Sequence, residues 1–402
     1  MPLSTPLITD HCSLLTPHFF PFSPRLPFRV ISRFSRFPHG LLQAPSAKRS
    51  MKILLPISLD RWRNPIATLL RACVVANPEL EFHSYSNPLS DEDRELGAEF
   101  WSLPHVFQAA QSKLALTRFD LVHTASITWH NQAAVMAAKL RSFRRARYLA
   151  TINLQVGPSD GSDWTLLQCA ESLADGLVSV SEAAGSEVRK RCPDRFRGVI
   201  PNGFDAGYFD PSIEDDTALP EKIRNFPTGS FALYLGALEP RKNPDFVVEL
   251  ARRHPEIPFV GVGYVHPLGR HFEPMVRSLP NFHWLGHVDR RCVRALLRHA
   301  GVLLFPSERE GLALSVIEAL GMGLPVIGQP KSSMPELIHH GVNGMLIDIG
   351  TIDEWSHAML SYLARTPEER SAHRAHIRPC IVAAYDWPVI GRRYGELYRS
   401  MA

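Results

Sequence analysis

The chain has 402 residues, 45% hydrophobic and 21% charged, the balance of a globular protein of roughly two or three domains. Its formal charge of +4 is unevenly placed: residues 1–50 carry Arg25, Arg29, Arg33, Arg36, Lys48 and Arg49 against Asp10, a net of +5, so residues 51–402 net to −1. A nearly neutral body argues against a nucleic-acid partner, and no apolar run reaches the about 20 residues that span a bilayer.

Residues 1–50 hold eight prolines and no sustained hydrophobic period, the composition of a disordered basic extension. The folded chain is expected to open at Met51, where MKILLPISL reads as a first strand. The segment before it is then a dispensable product of an upstream start, or an acid-poor transit peptide. From Met51 strands and helices alternate. Pro65 opens an amphipathic helix, as proline does at a first helical position. LEFHSYS is a strand, Phe107–Thr117 a helix and FDLVHTAS a strand. TWHNQAAVMAAKLRSF is a helix, ARYLATINLQV a strand, WTLLQCAESLA a helix, and GLVSVS and GVIPNGFD are strands. Pro211–Pro227, polar and acidic with a proline at each end, reads as an interdomain linker. A second alternation follows from FALYLGAL to MLIDI, and the tail is helical on both sides of Trp387-Pro388. Strands separated by helices of 10–15 residues imply α/β domains with parallel sheets. Cys12, Cys73, Cys169, Cys192, Cys292 and Cys380 show no CxxC pair and no ligand spacing with histidine, which points to a reduced, cytoplasmic setting without a disulfide framework or zinc.

Two motifs follow strands of the second half. In GALEPRKN (Gly236–Asn243) a glycine turn precedes Arg241, which can donate bidentately, and Lys242, a point charge; together they suit a diphosphate. In FPSEREGLALSVIEALGMGLPVIG (Phe305–Gly328), a strand runs through a loop bearing Glu310 into a helix bearing Glu318, then into another strand. Ligands of open α/β sheets sit at such strand ends, and ionised carboxylates there accept hydrogen bonds from paired hydroxyls. Each motif alone is equally readable as a solvated turn or helix face.

These stretches, with PELIHHGVNGMLID, SVSE, IPNGFD and FHWLGHV in order, resemble the C-terminal signature of family 4 glycosyltransferases. The resemblance implies a GT-B fold: two Rossmann-like parallel-sheet domains, over 51–212 and 213–375, facing each other across a cleft. Helices over 376–402 would pack back on the first domain. It implies a retaining hexosyltransferase, cytoplasmic or peripheral on the cytoplasmic membrane face. That enzyme would move sugar from a UDP- or GDP-linked donor to a glycan or lipid-linked acceptor, with no cofactor or metal. Arg241 and Lys242 would hold the diphosphate, Glu310 the sugar hydroxyls and Glu318 the ribose. The amides of Gly311, Leu312 and Ala313, with Gly236 and Gly286, would complete the donor side.

Several positions depart from the family. Ala237 stands where arginine is common, in a loop of the EPRKN type, and Ala313 stands for a glycine. Asn153 occupies the place of an acceptor-side histidine. SLDRWRNP replaces a Gly-Gly loop, and its Arg61 and Arg63 suit surface positions, or one of them would face phosphate or an acidic acceptor. His123 and His130 flank a strand-helix junction and suit structural roles. AAKLRSFRRARY, with Lys139, Arg141, Arg144, Arg145 and Arg147, has the composition of an anionic-membrane contact and equally of a solvated helix end. A non-catalytic nucleotide-sugar-binding protein and a GT-B-fold sugar-nucleotide epimerase are the competing readings.

Overall fold

The computed structural model describes residues 50–56, 65–86, 99–102, 118–141 and 146–402. The expectations for the extension 1–49, for Arg61 and Arg63, for the helix over Phe107–Thr117 and for Arg144 and Arg145 lie outside these residues.

Two parallel sheets carry the fold. The first holds β1 (Lys52–Leu55), β2 (Glu81–Ser86), β3 (Glu99–Ser102), β4 (Leu121–Thr124), β5 (Arg147–Ile152), β6 (Gly176–Ser179) and β7 (Phe196–Val199), in the order β3-β2-β1-β4-β5-β6-β7. The second holds β8 (Ala232–Leu235), β9 (Phe259–Val262), β10 (Phe282–Trp284), β11 (Val302–Phe305), β12 (Val326–Gly328) and β13 (Gly344–Leu346), in the order β10-β9-β8-β11-β12-β13. KILL, LVHT, ALYL and VLLF are short and apolar, or nearly so, and in β4, β8 and β11 every residue is buried, as strands sheathed by helices on both faces require. In each sheet the order reverses beside the first strand, and ligands of doubly wound sheets bind at that switch point. In the second sheet it lies between β8 and β11, which pair directly from Val302↔Ala232 to Leu304↔Tyr234. The loops after β8 and β11 are the two motifs of interest.

Four elements differ from expectation. The edge strand β3, with the sequence EFWS, pairs with β2, although it mixes Glu and Ser with its aromatics. The strand expected at GVIPNGFD lies earlier, at Phe196–Val199, and Phe204 instead bridges to Asp386. A helix over Glu182–Arg191 was not legible, because EAAGSEVRKR has little apolar periodicity; Ser181 caps it by accepting from the Ala184 N–H. The stretch 211–227 is no loose linker. It buries Leu219 and Ile223 in the second domain's core, and Asp215 pairs with Arg291 and Arg294, each at 3.0 Å.

The C-terminal helices divide between the domains. The helix Pro367–Tyr385 places Ile377 and Ile381 in the core that holds Val316 and Leu320. After Asp386, Trp387–Ser400 crosses back and inserts Ile390, Tyr394 and Tyr398 beside Ile53, Leu55 and Val178. A Cβ on Gly391 would lie 2.2 Å from the Ala72 carbonyl oxygen, so only glycine lets this helix meet the helix Pro65–Ala76 so closely.

Candidate active site

At the end of β8 the chain turns at Gly236, where a Cβ would stand 3.2 Å from the Lys242 side chain. Pro240–Lys242 forms one 3-10 turn that ends at Asn243, left-handed at φ 47°. The Asn243 side-chain amide donates to the Pro306 carbonyl at 2.8 Å, and the Glu308 N–H donates to the Arg241 carbonyl at 2.9 Å. These bonds tie the loop after β8 to the loop after β11.

The result is a clamp on one carboxylate oxygen. Glu310 Oε1 accepts from Lys242 Nζ at 2.6 Å, from the Ser307 hydroxyl at 2.7 Å and from the Arg241 guanidinium at 3.0 Å. Arg241 also pairs with Glu239. Lys242 and Glu310 are each 13% exposed at the side chain, whereas Arg241 is 41% exposed. Burial alone would raise the Glu310 carboxyl, but the charge and hydrogen bond of Lys242, with Ser307 and Arg241, outweigh it and hold the group below its ordinary value.

The clamp forms one wall of a cavity of about 390 Å³, within the range of small-molecule sites. The same wall continues through Gly311, Leu312 and Ala313 into the helix Leu314–Gly321. Ala313 caps that helix without a side-chain hydrogen bond, so its first turn presents N–H groups and the positive end of the helix dipole. The opposite wall is Asn153, Leu154 and Asn202 of the first domain. Its floor is close: a Cβ on Gly311 would lie 1.6 Å from the Asn153 carbonyl oxygen, and the Ser181 hydroxyl donates to the Gly311 carbonyl at 2.5 Å. Around the rim, Arg309 pairs with Asp160 at 2.7 Å. The Glu336 carboxylate accepts from the N–H groups of Glu182 and Ala183 at 2.8 and 3.0 Å.

The remaining residues singled out in the sequence take other places. Glu318 is not among the cavity's lining residues. It sits within the helix behind, 17% exposed and 3.5 Å from Arg290, and burial pushes its carboxyl up to about 7 although Arg290 acts against this. Gly236 and Gly286 also stand off the lining; Gly286 is left-handed at φ 69°, and its carbonyl accepts from the Gly263 N–H at 3.0 Å. Asn153 reaches the cavity, but its side-chain amide is committed to the Ala125 carbonyl. His123 is a core residue, bonded to Tyr398 at 2.7 Å and Thr151 at 2.8 Å, and burial pushes it down to about 3. Lys139 of the basic stretch is paired with Asp175 at 2.7 Å.

Two serines were not singled out in the sequence. Ser307, three residues before Glu310, offered the one local signal, since serine in a turn bonds within a few residues. Ser332, left-handed at φ 55°, has a hydroxyl that accepts from the Glu310 N–H at 3.1 Å and lies 3.2 Å from Gln155 of the first domain. Among the described residues, no group of three or more His, Cys, Asp or Glu is placed to hold a metal ion, and no helix is long and apolar enough to cross a membrane.

Residues 215–377 match the family model of glycosyl transferases group 1. The chain is 24% identical over 277 residues to a D-inositol 3-phosphate glycosyltransferase of Mycobacterium sp. (strain JLS), spanning 67% of this chain and 59% of that relative. It is 30% identical over 172 residues to the UDP-Gal:alpha-D-GlcNAc-diphosphoundecaprenol alpha-1,3-galactosyltransferase of Escherichia coli, spanning 40% and 44% of the two chains. Among solved structures, Anabaena HepE in complex with UDP superposes with a TM-score of 0.67 at 17% identity, over 88% of this chain and all of that one, a likeness of fold. Residues 215–377 are thus similar to glycosyl transferases group 1, and the two parallel-sheet domains share the GT-B fold.

Proposed function

We propose that the protein is a retaining glycosyltransferase that moves a hexose from a UDP- or GDP-linked donor to a glycan or lipid-linked acceptor. The observation that carries this reading is the Arg241–Lys242–Glu310 clamp on the cavity wall. Glu239 and Glu310 balance the two cations there. A donor diphosphate takes over Arg241 and Lys242 through charge-assisted hydrogen bonds, which frees Glu310 to accept from the hydroxyls of the sugar. The first-turn N–H groups after Ala313 face the same ligand.

In the reaction the bond from the anomeric carbon to the diphosphate oxygen breaks. A bond to the acceptor oxygen forms on the same face, and the acceptor's proton passes to the departing phosphate oxygen. Charge develops on the diphosphate, where Arg241 and Lys242 stabilise it. This chemistry asks for no resident metal, cofactor or titrating base, which suits Asn153 in place of a histidine; with its amide bound to Ala125, Asn153 shapes the acceptor wall. The UDP-Gal of the Escherichia coli relative and the UDP of the Anabaena structure support a uridine donor. The diphosphoundecaprenol in the former's name supports a lipid-linked acceptor. A peripheral position on the cytoplasmic membrane face, through the basic stretch 137–148, belongs to the same proposal.

A thermal-shift screen over UDP-, GDP- and ADP-sugars tests it. A donor at a hundred times its dissociation constant stabilises the fold by about 2.7 kcal/mol, and Lys242→Ala should remove the shift. If no nucleotide sugar moves the melting temperature, the reading fails.

A further inference from the structure

At the other end of the second sheet lies a cationic pocket that the donor cavity does not use. Its floor is formed by Ala300 and Gly301, which precede β11, and by Leu324 and Pro325, which precede β12. Because the strands are parallel, this is the amino end of the sheet, a strand's length from the clamp. Its wall carries four nitrogen-rich side chains. Arg370, His373 and Arg374 lie three and four residues apart on one face of the helix Pro367–Tyr385, and Arg365 comes from the segment just before it. No carboxylate is among the lining residues. Glu368 and Glu369, on the first turn of the same helix, are engaged with Thr366.

The cations are held together by backbone and packing rather than by counter-charge. Arg370 donates to the Arg365 carbonyl and Arg374 to the Arg298 carbonyl at 3.3 Å, while Arg365 stacks over Tyr362 at 4.5 Å. Two nitrogens are left over: His373 Nε2, and Arg374 Nε with its N–H, are shut off from solvent with no hydrogen-bond partner. Buried polar atoms of this kind call for a ligand or an ordered water. Burial and the neighbouring arginines push His373 down to about 4, and burial with the charges of Arg298, Arg370 and Arg378 lowers Arg374 as well. The site in this state is therefore short of negative charge.

We propose that this pocket binds a phosphate group, either as inorganic phosphate or as a phosphomonoester. The cavity is about 10 Å³, room for one oxygen atom. One phosphate oxygen enters to meet His373 and Arg374, and the others stay at the mouth between Arg365 and Arg370. Arginine forks match that geometry, and a dianion answers a cluster with no acid of its own. Nothing in the donor reaction requires this site, so it stands or falls apart from the proposed function.

The test is a titration of the full chain with inorganic phosphate, followed by melting temperature and calorimetry at fixed ionic strength against chloride, then repeated with glycerol phosphate. Phosphate should stabilise the protein beyond chloride. Arg370→Gln should weaken binding about tenfold or more, as loss of a charge-assisted contact does. Arg365→Gln, at a more open position, should weaken it too, which guards against a folding defect in the first variant. Lys242→Ala, at the cleft, should leave the phosphate shift in place. The relative response to phosphate and to glycerol phosphate tells which form the pocket prefers. The proposal is overturned if phosphate acts no differently from chloride, which would mean that the pocket holds only water. It is equally overturned if both arginine variants bind as the wild type does, or if Lys242→Ala abolishes the effect.

Discussion

Lys242→Ala is the sharpest perturbation of the site, because Lys242 is nearly buried and its ammonium lies 2.6 Å from Glu310. Two effects are expected, and they separate. In turnover, a positioned cation facing a developing diphosphate charge contributes about 2–4 kcal/mol, so kcat/KM should fall by roughly 30- to 1000-fold. In stability, stripping a buried carboxylate of its partner costs about 3–5 kcal/mol when nothing replaces it. Here Ser307 at 2.7 Å and Arg241 at 3.0 Å remain, so the expected loss is smaller, about 1–2 kcal/mol. The pH dependence has a definite sign. The folded-state carboxyl of Glu310 lies below its ordinary 4.5, so the stability from this pairing is fully present above pH 4.5 and is lost as the pH falls through the folded value. The gap between wild type and Lys242→Ala in urea unfolding should therefore be full at neutral pH and close on the acid side. Turnover is measured with the donor found by thermal shift. A folded Lys242→Ala protein that keeps kcat/KM within about threefold of wild type would refute the placement of the diphosphate.

Three further outcomes follow from the geometry. Gly311→Ala places a methyl where the Asn153 carbonyl stands at 1.6 Å, backbone against backbone, so the facing walls must part. It should cost about 1–3 kcal/mol and widen the particle in small-angle scattering, whereas unchanged melting and scattering would show that the walls are not in contact in solution. Glu318, raised by burial to about 7, contributes stability that is fully present below its ordinary 4.5 and is lost as the pH rises through 7. Glu318→Gln should therefore match wild type at pH 4 and exceed it by up to about 3 kcal/mol at pH 8.5; parallel stability curves would remove the raised carboxyl from the account. Arg309→Ala breaks the exposed pair with Asp160, and should change the melting temperature far less than Gly311→Ala does. An equal or larger loss would make the rim pair, rather than the glycine contact, the main tie across the cleft.

How much could be read from the sequence depended on where each signal lies. Strands such as VLLF and ALYL announce themselves because a parallel sheet buries both faces and leaves unbroken apolar runs. The edge strand EFWS and the helix EAAGSEVRKR do not, since neither needs a full apolar face where it lies. The segment 211–227 reads as a linker because its fully buried residues are few, Leu219 and Ile223, and their weight in the core and the pairing of Asp215 with Arg291 and Arg294 are visible only in three dimensions. At the site, residue types were legible and relations were not. Arg241 and Lys242 lie 69 and 68 residues from Glu310, and nothing local states that they share one carboxylate oxygen.

That relation follows from topology. Pairing of β11 with β8 across the reversal in strand order sets the loop Gly236–Asn243 beside the loop Pro306–Ala313, so any cation ending the one must meet any acid ending the other. Glu318 lies outside that pairing of loops. It sits beyond the loop, inside the helix Leu314–Gly321, 3.5 Å from Arg290. The first-domain wall of the cavity shows the limit of motif reading most clearly. Asn153 and Gly311 are far apart in the chain, and only their backbones meet, so no side-chain pattern could have paired them. What the folded chain adds to the sequence is thus a charge balance: Arg241 and Lys242, remote from Glu310 in the chain, share its carboxylate oxygen, and Arg241 also meets Glu239.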